Sequence, residues 1–482
     1  MAYGFHVHPK EYTADVRGFS FVVERDGDLY KAYKSGKGLT FEDDDASEVM
    51  QLSINKLITE NGGYGKILLK LKDAEIKNTI YVKPVDGITP RRIVIEGLGS
   101  GATTLLARNN LSTPVFHIQD AYRVAIKGLT INGGFFDGYA DPEALIKIES
   151  VSGLTYHNRI EDIGLTNFGQ YGIHLKKSDH SFIFDVIADS RRVLEDEADP
   201  RSIIIYIQGC KEPIVDNIIL ETGNKLLRIA NVERGEFSNL NLDGGLKPDG
   251  TYAGTNCALN VVNTKNSNFS NIMTQYSEYC NIFIEGGCEN LNFNNIYSYK
   301  AGVHGIYISA HNGDIKKLNF TNVYSLGNGG RGLYGDALNG YTIQAIKICN
   351  ITCLENAYAQ SIRFYADDTP SYIYDVIINS GWVDKTIDTV NVASGEVVVK
   401  NVKGYPTENS GVATFSGDGS TTEFKIEHGL VSTPSKYGVS PLTPDAHADK
   451  TISVDDTYII ITFSTAPPSG TDNLKFGWWA EV

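Results

Sequence analysis

Residues 291–325 read LNFNNIYSYKAGVHGIYISAHNGDIKKLNFTNVYS. The phrase LNFNNIYS returns 27 positions later as LNFTNVYS, and the echo runs along most of the chain. An Asn or Asp followed by a branched apolar residue recurs at Asp162, Asp185, Asn217, Asn239, Asn271, Asn295, Asn322, Asn350, Asp375 and Asn401, with Gly128 in KGLT as an earlier copy. Intervals of 22 to 32 residues mark a stacked repeat in which one loop per copy changes length. Each copy holds short alternating runs such as IFIE, GIYIS and IRFY, and none has room for two helices. Strands of three to six residues between Gly, Asn and Asp read as the coils of a β-solenoid. Asn tolerates the left-handed conformation of a sharp corner, and its amide can bond to the same residue one coil away. The recurrence therefore predicts about ten coils stacked at one Asn/Asp corner, with the corner amides satisfying buried backbone groups.

Composition excludes several other classes. The 482 residues are 41% hydrophobic and 21% charged, which is not a disordered chain. Glycine, at 48 residues, is abundant enough for many tight turns. A net charge of −15 without a long basic run argues against nucleic acid as a partner. No run of apolar residues is long enough for a membrane span. The start, MAYGFHVHPKEY, has no basic segment followed by an apolar one, so no secretory signal is expected. Cys210, Cys257, Cys280, Cys288, Cys349 and Cys353 show no CxxC spacing and read as buried thiols of a chain made in a reducing cytosol; no metal site is expected from them.

Upstream of the repeats, DDDASEVMQLSINKLITENGGYGKILLK carries Ala46, Val49, Met50, Ser53, Ile54, Leu57 and Ile58 on one helical face. Asp44 or Asp45 can cap the start of this helix, and Gly62-Gly63 can end it. An open solenoid end exposes core and unpaired strand edges, so a capping element is expected there. With this helix, residues 41–406 resemble the pectate-lyase-like right-handed parallel β-helix superfamily, and in particular viral and phage tailspike-type proteins. One departure is plain: Lys72-Asp73-Ala74-Glu75 stands where the family has a Gly-x-Tyr in its first coil. The expected architecture is all-β. It consists of an N-terminal hairpin or head segment (1–40), the β-helix with its capping helix (41–406), and an antiparallel β-sandwich (407–482) that serves oligomerisation or binding. The tail breaks the Asn period and alternates strands with Gly, Pro and Asp turns; Trp478 and Trp479 read as core or interface.

The fold hosts lyases, hydrolases, epimerases and inert adhesins, so function must come from the site. The resemblance implies a virion tailspike, made in the host cytoplasm without a signal peptide and assembled as a homotrimer, that binds a cell-surface polysaccharide. An exported or cell-surface enzyme is the alternative location. The resemblance also places sites on the outward face of the strand after the variable loop. Alternation along those strands gives an outward file of His117, Lys147, His174, Tyr206, Arg228, Asn260, Phe283, Tyr307 and Arg363. A second file holds Gln119, Glu149, Lys176, Gln208, Glu285 and Tyr365, and residues 326–360 show no counterpart.

Lys147, His174, Lys176 and Arg228 make this stripe locally basic on an acidic chain. Solvated cover is the plain reading of such side chains. An acidic glycan across the coils is the functional one. Removing the α-proton of a uronate needs cations at the carboxylate and a tuned base. His174 and Tyr206 are the catalytic candidates. His117, Lys147, Lys176, Arg228, Glu285, Tyr307 and Arg363 are the substrate-binding candidates. A polysaccharide lyase is thus favoured over a glycoside hydrolase and over a non-catalytic adhesin. A hydrolase needs two carboxylates about 5 to 9.5 Å apart, and Glu149 and Glu285 sit five strands apart in this register. The loop acids Glu195, Asp196, Glu197, Asp199, Asp243, Asp249, Asp367 and Asp368 remain for that role. No cofactor is required. Calcium suits the acidic run 195–199 by donor type, without EF-hand spacing. GVHG (302–305) places His304 at a corner, and GNGGRG (327–332) opens no helix and so is not a phosphate loop.

Overall fold

The computed structural model describes residues 20–135, 138, 140–152, 155–189, 202–246, 251–367, 371–393 and 396–482. Among these the strands wind into a parallel β-helix of about 11 turns. Twelve short strands, from Ile80–Val82 to Thr386–Val390, stack in parallel as one sheet. A second sheet takes the longer strands, which carry the Asn/Asp corner. The strand Glu289–Tyr299 bends at Asn295, whose φ is 55°, and Gly128, Asp162, Asp185, Asn217, Asn239, Asn271, Asn322, Asn350, Asp375 and Asn401 all have positive φ at the same corner. Only residues that tolerate this conformation fit there, which is why the sequence repeats them.

The corner amides point to solvent, contrary to the expectation that they satisfy buried backbone. Asn271 Nδ2 donates to Asn239 Oδ1 at 3.0 Å, Asn295 to Asn271 at 3.0 Å, Asn322 to Asn295 at 3.0 Å and Asn350 to Asn322 at 2.9 Å. The ladder is exposed and runs from side chain to side chain. A residue in the left-handed conformation turns its Cβ away from the coil, so the amide reaches its neighbours but not the interior. Buried Asn residues at another turn take the inward role: Asn328 Oδ1 accepts from the Ala301 N–H, and Asn356 Oδ1 accepts from the Asn328 side chain.

The interior is apolar along its whole length. Phe237, Phe269, Phe293 and Phe320 stack one per coil, with centroids 4.9, 4.5 and 4.9 Å apart. Identical residues in register make this stack, since strands repeat every ~4.8 Å.

The helix Ala46–Asn61 closes the N-terminal end. Asp45, of the two candidates, caps it by accepting from the Ser47 N–H at 2.9 Å, and Gly62 ends it at φ 63°. All seven residues of the expected apolar face are buried. Residues Ser20–Asp26, Leu29–Lys34 and Gly38–Asp43 form an antiparallel hairpin unit, with the tight turn at Asp26-Gly27. Its first strand pairs in parallel with Gly65–Lys70, and Phe21, Val23, Tyr30 and Ala32 enter the same core as the helix. At the other end, Glu408–Gly417, Lys436–Pro441 and Gly470–Glu481 form one antiparallel sheet, and Glu423–Glu427, Lys450–Val454 and Tyr458–Phe463 a second. Together they enclose a separate core of Phe424, Ile459, Ile461, Phe463, Leu474 and Phe476. Trp478 packs against that core, whereas Trp479 is 49% exposed. No helix among the described residues is long and apolar enough to cross a membrane.

Candidate functional site

The outward file of the twelve-stranded sheet is aligned residue by residue. Tyr81, His117, Lys147, His174, Tyr206, Arg228, Asn260, Phe283, Tyr307, Tyr334, Arg363 and Asp388 occupy one register position on successive strands. Nine of these follow from alternation alone. Tyr334 fills the coil that shows no counterpart in sequence. Its strand, Leu333–Ala337, has Gly335 at an inward position, and the Phe364 ring fills the space where a Gly335 Cβ would stand. The apolar pair that marks the other strands is therefore missing. Tyr81 and Asp388 lie on the short strands Ile80–Val82 and Thr386–Val390.

The N-terminal part of the file is a charged network. Glu149 joins three coils: His117 Nε2 lies 2.8 Å from its carboxylate, Lys147 Nζ 3.5 Å and Lys176 Nζ 3.6 Å. Lys147 also pairs with Glu143 at 2.8 Å. Burial opposes ionisation of Glu149, but Lys147, His117 and Lys176 outweigh it and hold the carboxyl below its ordinary value. For His117 burial wins over Glu149, and its pKa falls.

Next along the file is a stack. The His174 ring lies 5.0 Å from that of Tyr206 at 9°, and the Tyr171 ring touches both, 4.8 Å from His174 and 5.7 Å from Tyr206. The Arg228 guanidinium sits 5.4 Å from the Tyr206 centroid. His174 is 6% exposed, and neither ring nitrogen makes a hydrogen bond. Burial pushes the imidazole down to about 4, with Lys147 and Lys176 adding to the effect; Gln208 and Glu143 oppose it, Gln208 without reaching hydrogen-bonding geometry. His174 is thus neutral near pH 7, and its nitrogens are covered. Tyr206 is partly exposed, and its hydroxyl makes no hydrogen bond among the described residues.

The C-terminal part is aromatic. Phe283, Tyr307 and Tyr334 stack at 4.8 and 5.3 Å. Tyr307 donates to Asp336 Oδ2 at 2.7 Å, and Ser309 to its Oδ1 at 2.5 Å. Burial raises the Asp336 pKa despite these two donors, and it drives the Tyr307 hydroxyl far above its ordinary value. His304 begins the strand His304–Ala310 and is buried; its Nδ1 accepts from the Arg331 N–H at 3.2 Å. Gly329, Gly330 and Gly332 of GNGGRG serve close approach between coils: a Cβ on Gly329 would stand 2.1 Å from the Gly302 carbonyl oxygen.

The other candidates are dispersed. Glu285 lies in the second file beside Ser309 and, one strand further, Asp336. Glu149 and Glu285 are five strands apart, roughly 24 Å at the usual spacing, too far for paired-carboxylate hydrolysis. Asp243 accepts from the Gly245 N–H and the Gln275 amide. Asp367 accepts from the Asn339 N–H. Glu195, Asp196, Glu197, Asp199, Asp249 and Asp368, and with them the calcium expectation, lie outside the described residues. No group of three or more His, Cys, Asp and Glu among the described residues is placed to hold a metal ion. Sequence reasoning missed Tyr171, the first residue of the strand Tyr171–Lys176, and Tyr279, Arg331 and Tyr358 on loops, all of which flank the file; loop positions carry no period.

No family model matches the chain, and no curated protein matches its sequence. Solved structures do. The Dettilon tailspike protein gp208 superposes with a TM-score of 0.50 at 11% identity, over 91% of this chain and 91% of that one. The tailspike protein gp49 of Pseudomonas phage LKA1 gives 0.52 at 9% identity, over 89% and 92%. At such identities the likeness is one of fold: the chain has the right-handed parallel β-helix of these spikes.

Proposed function

We propose that the chain is a spike of a virion tail that binds an acidic cell-surface polysaccharide along the outward file. One observation carries the reading. Buried polar atoms normally find partners, yet Arg228 Nε, both Asn260 amide atoms, Arg331 Nε and Arg363 Nε make no hydrogen bond, and all lie on or beside this face. Aromatic rings stand among these groups, which suits a chain of sugar rings with polar edges. The fold likeness to tailspikes agrees. The test is retention of the full chain on a panel of immobilised acidic and neutral polysaccharides at rising salt. Acidic polymers should retain it, less so as salt screens exposed charges beyond ~8 Å. Equal, salt-independent retention on neutral polymers would overturn the reading.

A second step, cleavage by β-elimination, has its own support in the Tyr206–Arg228 pair. Arg228 would neutralise a uronate carboxylate while Tyr206, acting as its phenolate, takes the proton from C5. The C4–O bond then breaks, a C4–C5 double bond forms, and the Tyr206 hydroxyl so formed returns that proton to the departing oxygen. His174 supports the Tyr206 ring rather than meeting substrate, since its nitrogens are covered.

Trimeric assembly belongs to the same proposal. Ile187, Tyr297, Tyr324 and Trp382 are 61, 36, 44 and 44% exposed and share one register position on the second sheet. Such an apolar line suits contact with further copies. Light scattering should give the mass of three chains, and Tyr324→Lys should lower it. A monomeric mass for the unaltered chain would contradict this.

A further inference from the structure

Arg331 is 8% exposed and has no carboxylate within ion-pairing distance among the described residues. Its guanidinium carbon lies between two rings, 5.0 Å from the Tyr334 centroid and 4.9 Å from that of Tyr358. Of its donors, Nη2 reaches Gln360 Oε1 at 3.1 Å, and Nε has no acceptor. A buried cation without a counter-charge is costly, and a guanidinium offers five donors in a planar fork. Arg363, one strand away from Tyr334, adds a second cation, and its Nε faces Asp388 at 3.4 Å without a hydrogen bond. Asp336, the acid on the same strand as Tyr334, is turned to Tyr307 and Ser309. Of the two arginines, only Arg363 thus has a carboxylate within ion-pairing distance among the described residues. The backbone holds Arg331 in place: its N–H is bound by His304, its carbonyl accepts from Gly305, and Gly329 and Gly330 lie against the preceding coil.

We infer that Arg331 and Arg363, walled by Tyr334 and Tyr358, form a receptor for the carboxylate of a sugar acid, separate from Arg228. Tyr206 and Tyr334 stand five strands apart, roughly 24 Å at the usual spacing, so one polymer must present two acidic residues to fill both places. The planar fork matches a carboxylate edge, and the exposed Tyr358 ring gives the sugar a stacking face. The inference rests on the polysaccharide reading but is tested without a polymer.

The experiment is saturation-transfer NMR of the full chain with glucuronate, with glucose as the neutral control. Glucuronate should show transfer and glucose none. Arg363→Gln, Tyr358→Ala and Arg331→Met should each lower the glucuronate signal, whereas Arg234→Gln, at an exposed arginine away from the file, leaves it unchanged. Arg331→Met should also leave the ligand-free unfolding midpoint unchanged or higher, because a buried unpaired charge is gone. A signal undiminished by Arg363→Gln and Tyr358→Ala overturns the inference, as does a signal equal for glucose. If polymers are retained while glucuronate gives no signal, the receptor falls and the polysaccharide reading stands. If glucuronate binds here and no polymer is retained, the receptor stands and that reading falls.

Discussion

Asn295→Leu is expected to destabilise the β-helix by about 2–4 kcal/mol, although it adds apolar surface. Asn295 holds φ at 55°, a conformation that costs an ordinary side chain ~1–2 kcal/mol. Its amide also gives a hydrogen bond to Asn271 and accepts one from Asn322, each worth ~0.5–1.5 kcal/mol at most in the exposed ladder. The new methyl groups gain nothing, since the side chain points to solvent. Asn295→Gly should cost less, because glycine accepts the backbone and loses only the ladder bonds. Unfolding midpoints and rates should be compared together, since an oligomeric spike can unfold irreversibly. A Leu variant no less stable than the Gly variant would show that the corner conformation is not what the repeat preserves.

Tyr206→Phe is expected to lower turnover of an acidic polysaccharide by ~100-fold or more with retention on the polymer largely kept. The substitution removes only a hydroxyl that has no partner, and the ring can still lie against His174 and Arg228. Arg228→Ala should weaken both retention and turnover, because it removes a cation from the binding face. Turnover is read from the ultraviolet absorbance of the unsaturated product. Unchanged turnover in Tyr206→Phe would remove Tyr206 from the chemistry. Cleavage without an unsaturated product would move the chemistry to carboxylates.

The corner and the file were legible for different reasons. Left-handed φ restricts Asp162 through Asn401 to a few residue types, so the constraint is written directly into the sequence. Which way those amides point is not written there; it depends on the Cβ direction at the corner, and the inward reading failed on that point. Period-2 alternation located nine outward residues because each is flanked by apolar residues that point inward. It failed at Tyr334, where Gly335 yields its space to Phe364 from the next coil. It could not find Arg331 or Tyr358 at all. Their positions follow from how glycine-bearing loops close against the coil before them, which is a matter of packing between coils and not of period.

The central claim is that a glycan lies on the outward file of the twelve-stranded sheet. Hydroxyl-radical footprinting of the full chain, with and without a retained acidic polysaccharide, tests it most directly. Tyr206, Tyr334 and Tyr358 should lose reactivity when the polymer is present, whereas Tyr64 and Tyr372, exposed and outside the file, should keep theirs. Protection of Tyr64 and Tyr372 with Tyr206, Tyr334 and Tyr358 unchanged would contradict the account.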